Sequence, residues 1–259
     1  MALLEVSNLK KIYASRLGGT RVQALTNVSF SAQEGEYVAI MGESGSGKTT
    51  LLNIIAALDK PTEGDVLLEG KTLVGKKTYE ITHIGIARTF QNIRLFKYLS
   101  ALDNVKIAMN DQVKYGILSS IFRAPSYWKG EEYFQNRAME ILTDCGLAEF
   151  AEARATSLPY GKQRKLEIAR ALATNPKILL LDEPAAGMNP TETHELLETI
   201  KVIREKYHVT ILLIEHDMSF VTGVCERLMV LDYGSIIASG TPEEVIHNPD
   251  VIAAYLGGE

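Results

Sequence analysis

Residues 42–49, GESGSGKT, join a glycine-rich turn to a lysine and a threonine, a combination suited to gripping phosphate. Gly42, Gly45 and Gly47, with Glu43, Ser44 and Ser46 between them, let backbone N–H groups wrap an anion. Lys48 follows with the reach to contact β and γ phosphates, and Thr49 and Thr50 open a helix whose N-terminus favours negative charge. The Thr49 hydroxyl is placed to ligate Mg2+. A glycine turn that merely caps a helix competes with this reading, but such a turn has no need of the complete G-x-x-x-x-G-K-T spacing.

Two acids close the apolar run ILLLDEP (178–184), and acids at the end of a buried strand are costly unless something neutralises them. Asp182 there suits holding Mg2+ through water, and Glu183 suits polarising an attacking water. His216 ends another apolar run, LLIEHD (212–217), and is expected to hydrogen-bond a γ phosphate. Gln91 in RTFQN follows a short strand and is a candidate to reach Mg2+ or the attacking water. Taken singly, strand-end acids often cap the next helix, a lone histidine is usually a satisfied one, and the glutamine says little. Together with the glycine loop they describe one sheet edge, where open α/β sheets bind ligands.

The elements that must position these residues follow from periodicity. YVAIMG (37–42) is continuously apolar, as is a strand buried on both faces, and it leads straight into the glycine loop. KILLLDE and VTILLIEHD repeat that pattern. Between them, Asn189 is an N-cap, Pro190 the first helical residue and Glu192 the third, with Leu196, Leu197, Ile200 and Ile203 on one face. Strand, helix, strand implies a parallel α/β sheet. LLEVSNL and ALTNVSFSA alternate as antiparallel strands do. Residues 92–165 break this rhythm and are expected to form an inserted helical subdomain, with 1–91 and 166–259 as the nucleotide-binding core of one 259-residue domain. Thr241, Pro242 and Glu244 mark a further capped helix near the C-terminus.

Bulk properties narrow the class. A net charge of −5 argues against a nucleic-acid partner, whose phosphates require clustered Lys and Arg. The longest apolar runs fall well short of the roughly 20 residues needed to span a bilayer, so a cytoplasmic chain is expected. Two cysteines, Cys145 and Cys225, suggest packing rather than a disulfide framework or metal cluster.

In this order the motifs resemble the ATP-binding subunit of an ABC transporter, over essentially the whole chain. The resemblance implies a P-loop NTPase core with an antiparallel β subdomain and an inserted α-helical subdomain. It implies ATP and Mg2+ as ligands, Tyr13 stacking on adenine, residues 42–49 as phosphate loop, Gln91 as glutamine loop, Asp182 and Glu183 as metal and catalytic acids, and His216 as switch histidine. Ala186–Asn189 would be the loop crossing a dimer seam. Leu158-Pro159-Tyr160-Gly161-Lys162 would be the signature, facing the γ phosphate held by a second copy. This signature departs from the usual Leu-Ser-Gly-Gly-Gln by lacking the serine hydroxyl, so the Gly161 backbone and helix polarity must do more.

The region from about residue 75 to 259 resembles the ATP-binding subunit of branched-chain amino-acid importers, carried by RTFQNIRLF, LPYGKQRKLEIARAL, LLIEHDM and NPDVIAAYLG. Residues 1 to about 70 look more like the ATPases of lipoprotein-release, macrolide and bacitracin-resistance exporters, including the extra residues between Tyr13 and Ala24. The chain thus reads as a composite with a seam near Gly64 to Gly75. The expected partners are permease subunits, a second ATP-binding subunit and an extracytoplasmic solute-binding protein, with this subunit peripheral on the inner membrane face. Partner choice is expected to follow residues 80 to 165. The aromatic stretch KYGILSSIFRAPSYWKG serves either permease docking or internal packing of a helical hairpin. The alternatives are an exporter ATPase or a soluble ABC ATPase. A ribosomal cassette would carry two such domains, a chromosomal one a long coiled coil, and a P-loop kinase would have no use for the signature.

Overall fold

The computed structural model describes residues 2–14, 21–110 and 125–256. They form two compact units: Met1–Arg88 with Lys177–Pro184 and His208–Glu259, and Thr89–Pro176 with Ala185–Tyr207. The segment between Tyr13 and Ala24 lies partly, and the aromatic stretch before Pro125 largely, outside the described residues.

The first unit holds both sheets. Strands β1 (Leu4–Ala14), β2 (Arg21–Ala32), β4 (Glu63–Leu68) and β5 (Lys71–Thr72) form an antiparallel sheet in the order β2-β1-β4-β5. The second sheet has six strands in the order β10-β9-β3-β8-β7-β6. Its members are β3 (Tyr37–Met41), β6 (Ile86–Arg88), β7 (Ile178–Asp182), β8 (Thr210–Ile214), β9 (Arg227–Asp232) and β10 (Ser235–Gly240). Neighbours from β9 to β6 are parallel and β10 is antiparallel to β9. Every residue of β3, β7 and β8 is buried, the physical reason their sequences are apolar without alternation. Helix α1 (Lys48–Ile55) packs Leu51, Leu52 and Ile55 into a core shared with Val38 and Ile40, Ile178 and Leu180, and Leu212 and Ile214.

Register fixes what this sheet presents. Ile40 pairs with Ile214, and Ile214 with Asp182, so β3, β8 and β7 end level with one another. The glycine loop, the acid pair and the Glu215-His216 corner therefore leave the sheet at one edge.

The second unit is helical: α2 (Thr78–Ile84) belongs to the first, whereas α3 (Ala101–Ala108), α4 (Pro125–Asp144), α5 (Tyr160–Leu172) and α6 (Pro190–Tyr207) pack together here. Leu102, Val105, Ile141, Leu142, Leu166, Leu196, Ile200 and Ile203 are buried among them. Asn104 is fully buried and satisfied: its side chain accepts from Phe96 N–H at 2.9 Å and donates to the carbonyls of Phe96 and Ser100 at 3.1 and 2.9 Å. The reciprocal cap of α6 forms as its sequence requires, with Glu192 N–H on Asn189 Oδ1 at 3.0 Å and Asn189 N–H on Glu192 Oε2 at 3.1 Å. Helices α7 (Met218–Val224), α8 (Pro242–Ile246) and α9 (Pro249–Leu256) complete the first unit, and α8 has the Thr241–Glu244 capping box.

Candidate functional site: a phosphate loop and two acids on one sheet edge

The turn from β3 into α1 needs its glycines. Gly42 has φ 151°, and a Cβ there would lie 2.1 Å from the Leu231 carbonyl oxygen and 2.5 Å from Ser46 Oγ. Gly47 has φ 107° and would meet the Ala24 carbonyl at 2.5 Å. Neither position admits a side chain. Gly47 is the N-cap of α1 and no side chain satisfies the first-turn N–H groups, which leaves them directed at the loop as anion donors. Ser46 is buried, while Glu43, Ser44, Gly45 and Thr49 are exposed on the rim.

Lys48 Nζ curls back over this loop, donating to the carbonyls of Gly42 and Glu43 at 2.7 and 2.8 Å and lying 3.4 Å from Ser46 Oγ. Its pKa is lowered by partial burial, opposed by the negative charges of Glu183, Asp182 and Glu43.

Asp182 is buried and paired with Arg88, whose Nη2 donates to Oδ2 at 2.8 Å while Nη1 donates to Asn53 Oδ1 at 2.6 Å. Arg88 thus supplies the compensation that a buried carboxylate needs. Glu183 follows with φ 46°, a left-handed conformation uncommon for a non-glycine residue, and its N–H donates to the Ile214 carbonyl at 3.0 Å. His216 has a 71% exposed side chain next to the buried Glu215, whose Oε2 accepts the His216 N–H at 3.2 Å.

Tyr13 stands at the end of β1 beside Thr50 of α1. Its hydroxyl donates to Asp59 Oδ2 at 2.7 Å, Lys11 Nζ bonds Asp59 Oδ1 at 2.5 Å, and the same ammonium sits 4.8 Å from the tyrosine ring centroid. Partial burial and the Asp59 carboxylate raise the Tyr13 pKa. One face of the ring is thereby fixed by Lys11 and Asp59.

The remaining sequence candidates belong to the second unit. Gln91 is exposed, and its carbonyl accepts from Arg164 Nη2 at 2.7 Å. Pro159 is the N-cap of α5, exposed, and contributes no side-chain cap. The Gly161 N–H meets Glu192 Oε1 at 3.3 Å, and a Cβ on Gly161 would lie 2.9 Å from that oxygen. Lys162 pairs with Glu195 at 3.0 Å, and the Tyr160 hydroxyl donates to the Ala186 carbonyl at 3.1 Å. Sequence reasoning missed Arg88, Asn53, Asp59 and Arg164. Their only sequence signal is a charged or amide side chain beside an apolar run, which solvated faces show equally.

Comparison with known proteins accords with this arrangement. Residues 25–186 match the ABC transporter family model, and residues 235–259 match that of the branched-chain amino acid ATP-binding cassette transporter. The chain belongs to the ABC transporter family and is an ATPase coupled to transport. It is 44% identical, over 93% of its length and 94% of the relative's, to the high-affinity branched-chain amino acid transport ATP-binding protein LivG of Salmonella typhimurium. Its identity to the corresponding protein BraF of Pseudomonas aeruginosa is 41%, over 98% of each chain. Such coverage carries the importer likeness into the first 70 residues, which sequence reasoning set apart as exporter-like. Among solved structures, the ADP conformation of an ATP-binding cassette of an ABC transporter is similar over 100% of both chains, with a TM-score of 0.83 and 33% identity. A dimeric, post-hydrolysis cassette bound to ADP and Pi covers 92% of this chain and 98% of its own, with a TM-score of 0.77 and 32% identity.

Proposed function

We propose that this chain binds and hydrolyses ATP to drive import of branched-chain amino acids through a membrane permease. The observation carrying the reading is the Ile40–Ile214–Asp182 register, which brings Lys48, Asp182, Glu183 and His216 to one sheet edge. Relatives named as branched-chain amino acid transport ATP-binding proteins support the substrate class.

In this reading the loop amides of residues 42–49 and Lys48 bind the triphosphate, and Tyr13 stacks on adenine. Glu183 orients and polarises the attacking water, His216 hydrogen-bonds the γ phosphate, and Gln91 reaches Mg2+ or the attacking water. Thr49, Gln91 and Asp182 would hold Mg2+, directly or through water; an oxygen-only donor set fits that hard cation. When bound, Mg2+ neutralises developing phosphate charge. Pro159, Tyr160, Gly161 and Lys162 form the tip that faces the nucleotide of a second cassette. Two ATP molecules then join two subunits, and hydrolysis removes the attraction. The partners are permease subunits, a second ATP-binding subunit and a solute-binding protein, with this subunit at the cytoplasmic face of the membrane. Among the described residues no helix is long and apolar enough to cross a membrane.

The test is reconstitution with an importer-type permease and its solute-binding protein. ATP-driven uptake of leucine, isoleucine or valine in preference to lysine is the expected result. Assembly with an exporter-type permease, and none with the importer type, would overturn the assignment.

A further inference from the structure

Arg164 is fully buried on the first turns of α5, and its fork ties the Phe90–Gln91 segment to Tyr160 at the start of its own helix. Nη1 donates to the Phe90 carbonyl at 2.7 Å, and Nη2 donates to the Gln91 carbonyl at 2.7 Å and to the Tyr160 hydroxyl at 3.2 Å. Glu167, also buried, neutralises it at 3.1 Å and uses its other oxygen to accept from Arg94 N–H at 3.2 Å. Tyr160 passes the connection on: its hydroxyl proton goes to the Ala186 carbonyl at 3.1 Å, and its ring lines the space over Gly187. Glu192 adds a second strap between the same two segments, holding Gly161 N–H with one oxygen and Asn189 N–H with the other.

We propose that Tyr160 is a positioning residue for hydrolysis, yoking the crossing loop at Ala186–Asn189 to the glutamine loop through Arg164, so that the two loops move as one body. This rests on the roles proposed above for those loops. It also gives the departure from Leu-Ser-Gly-Gly-Gln a physical purpose, because the tyrosine hydroxyl is committed to a backbone carbonyl and a guanidinium. It does not stand in for the missing serine as a phosphate donor. A glycine at this position could make neither contact. A hydroxyl that both accepts from a buried cation and donates to a carbonyl is polarised by the first bond into a better donor for the second.

Tyr160→Phe removes the hydroxyl and keeps the ring over Gly187. In the full chain we expect MgATP binding by the unassembled protein to stay within about twofold, and the rate at saturating ATP to fall about tenfold or more, as loss of alignment at a distance does. Hydrogen exchange at the amides of residues 186–188 should quicken while those of residues 166–172 keep their protection. Normal turnover, or slower turnover without faster exchange in the crossing loop, overturns the proposal. Glu183→Gln with MgATP separates this from the underlying reading. If that variant stays monomeric, alone and with its permease, the roles of the loops fail and this inference falls with them; if it dimerises while Tyr160→Phe behaves as wild type, only the tyrosine's role is lost.

Discussion

Arg88 Nη2 stands 2.8 Å from Asp182 Oδ2, with 7% of the arginine side chain and 9% of the aspartate exposed, so the acid at the heart of the site is held by a charge from the neighbouring strand. Removing one partner of a buried pair leaves the other uncompensated. Arg88→Met should destabilise the chain by about 3 kcal/mol in chemical denaturation. Arg88→Met with Asp182→Asn should recover part of that loss, since no charge is then stranded. Equal stability of the single variant and the parent would refute the compensating role.

Glu183 follows the last residue of β7 with the unusual backbone φ of 46°. Glu183→Gln keeps the shape and removes the base. Hydrolysis should drop roughly 100- to 10,000-fold while MgATP binding persists. Near-normal turnover in a phosphate-release assay would show that another group activates water.

Lys48 has a pKa lowered by burial in the absence of phosphate. Phosphate charge raises it again, so nucleotide binding must take up protons in the pH interval between the lowered free value and the higher bound value. Calorimetry of binding in buffers of different ionisation enthalpy should detect this uptake as pH approaches 10.5, the ordinary lysine value. Lys48→Ala should bind nucleotide more weakly and show no such uptake.

Asp59 accepts from both Tyr13 and Lys11, and those hydrogen bonds hold its pKa down against the cost of burial. Asp59→Asn should loosen the tyrosine ring and weaken ATP binding about three- to tenfold, the worth of one or two hydrogen bonds. Affinity for tripolyphosphate, which has no base to stack, should be unchanged. Equal losses for both ligands would remove Tyr13 from the adenine site.

Cys145 is fully buried, and burial pushes its thiol pKa up to about 12. At pH 8 almost no thiolate exists, so a maleimide should fail to label Cys145 in the native chain and label it readily in denaturant. Rapid native labelling there would contradict the packing described.

The glycine loop, the acid pair and the capped helices were legible in the sequence because each is local. A glycine loop between an apolar strand and a helix is built from consecutive residues, and a capping box such as Thr241–Glu244 needs only four. The continuous apolar runs of β3, β7 and β8 likewise announce strands buried on both faces and hence a parallel sheet.

What the sequence by itself determined, then, is the set of groups on offer: a glycine loop at residues 42–49 followed into its helix by Lys48 and Thr49, acids at 182 and 183, and Pro159 and Tyr160 at the start of α5. Only the tertiary structure decided how that chemistry is balanced. Arg88 and Asp182 are 94 residues apart, and Arg164 and Phe90 are 74 apart, so neither pairing leaves a mark in local spacing. Compensation of a buried charge depends on which strands and helices become neighbours, and that is fixed by packing the whole core rather than by any one segment.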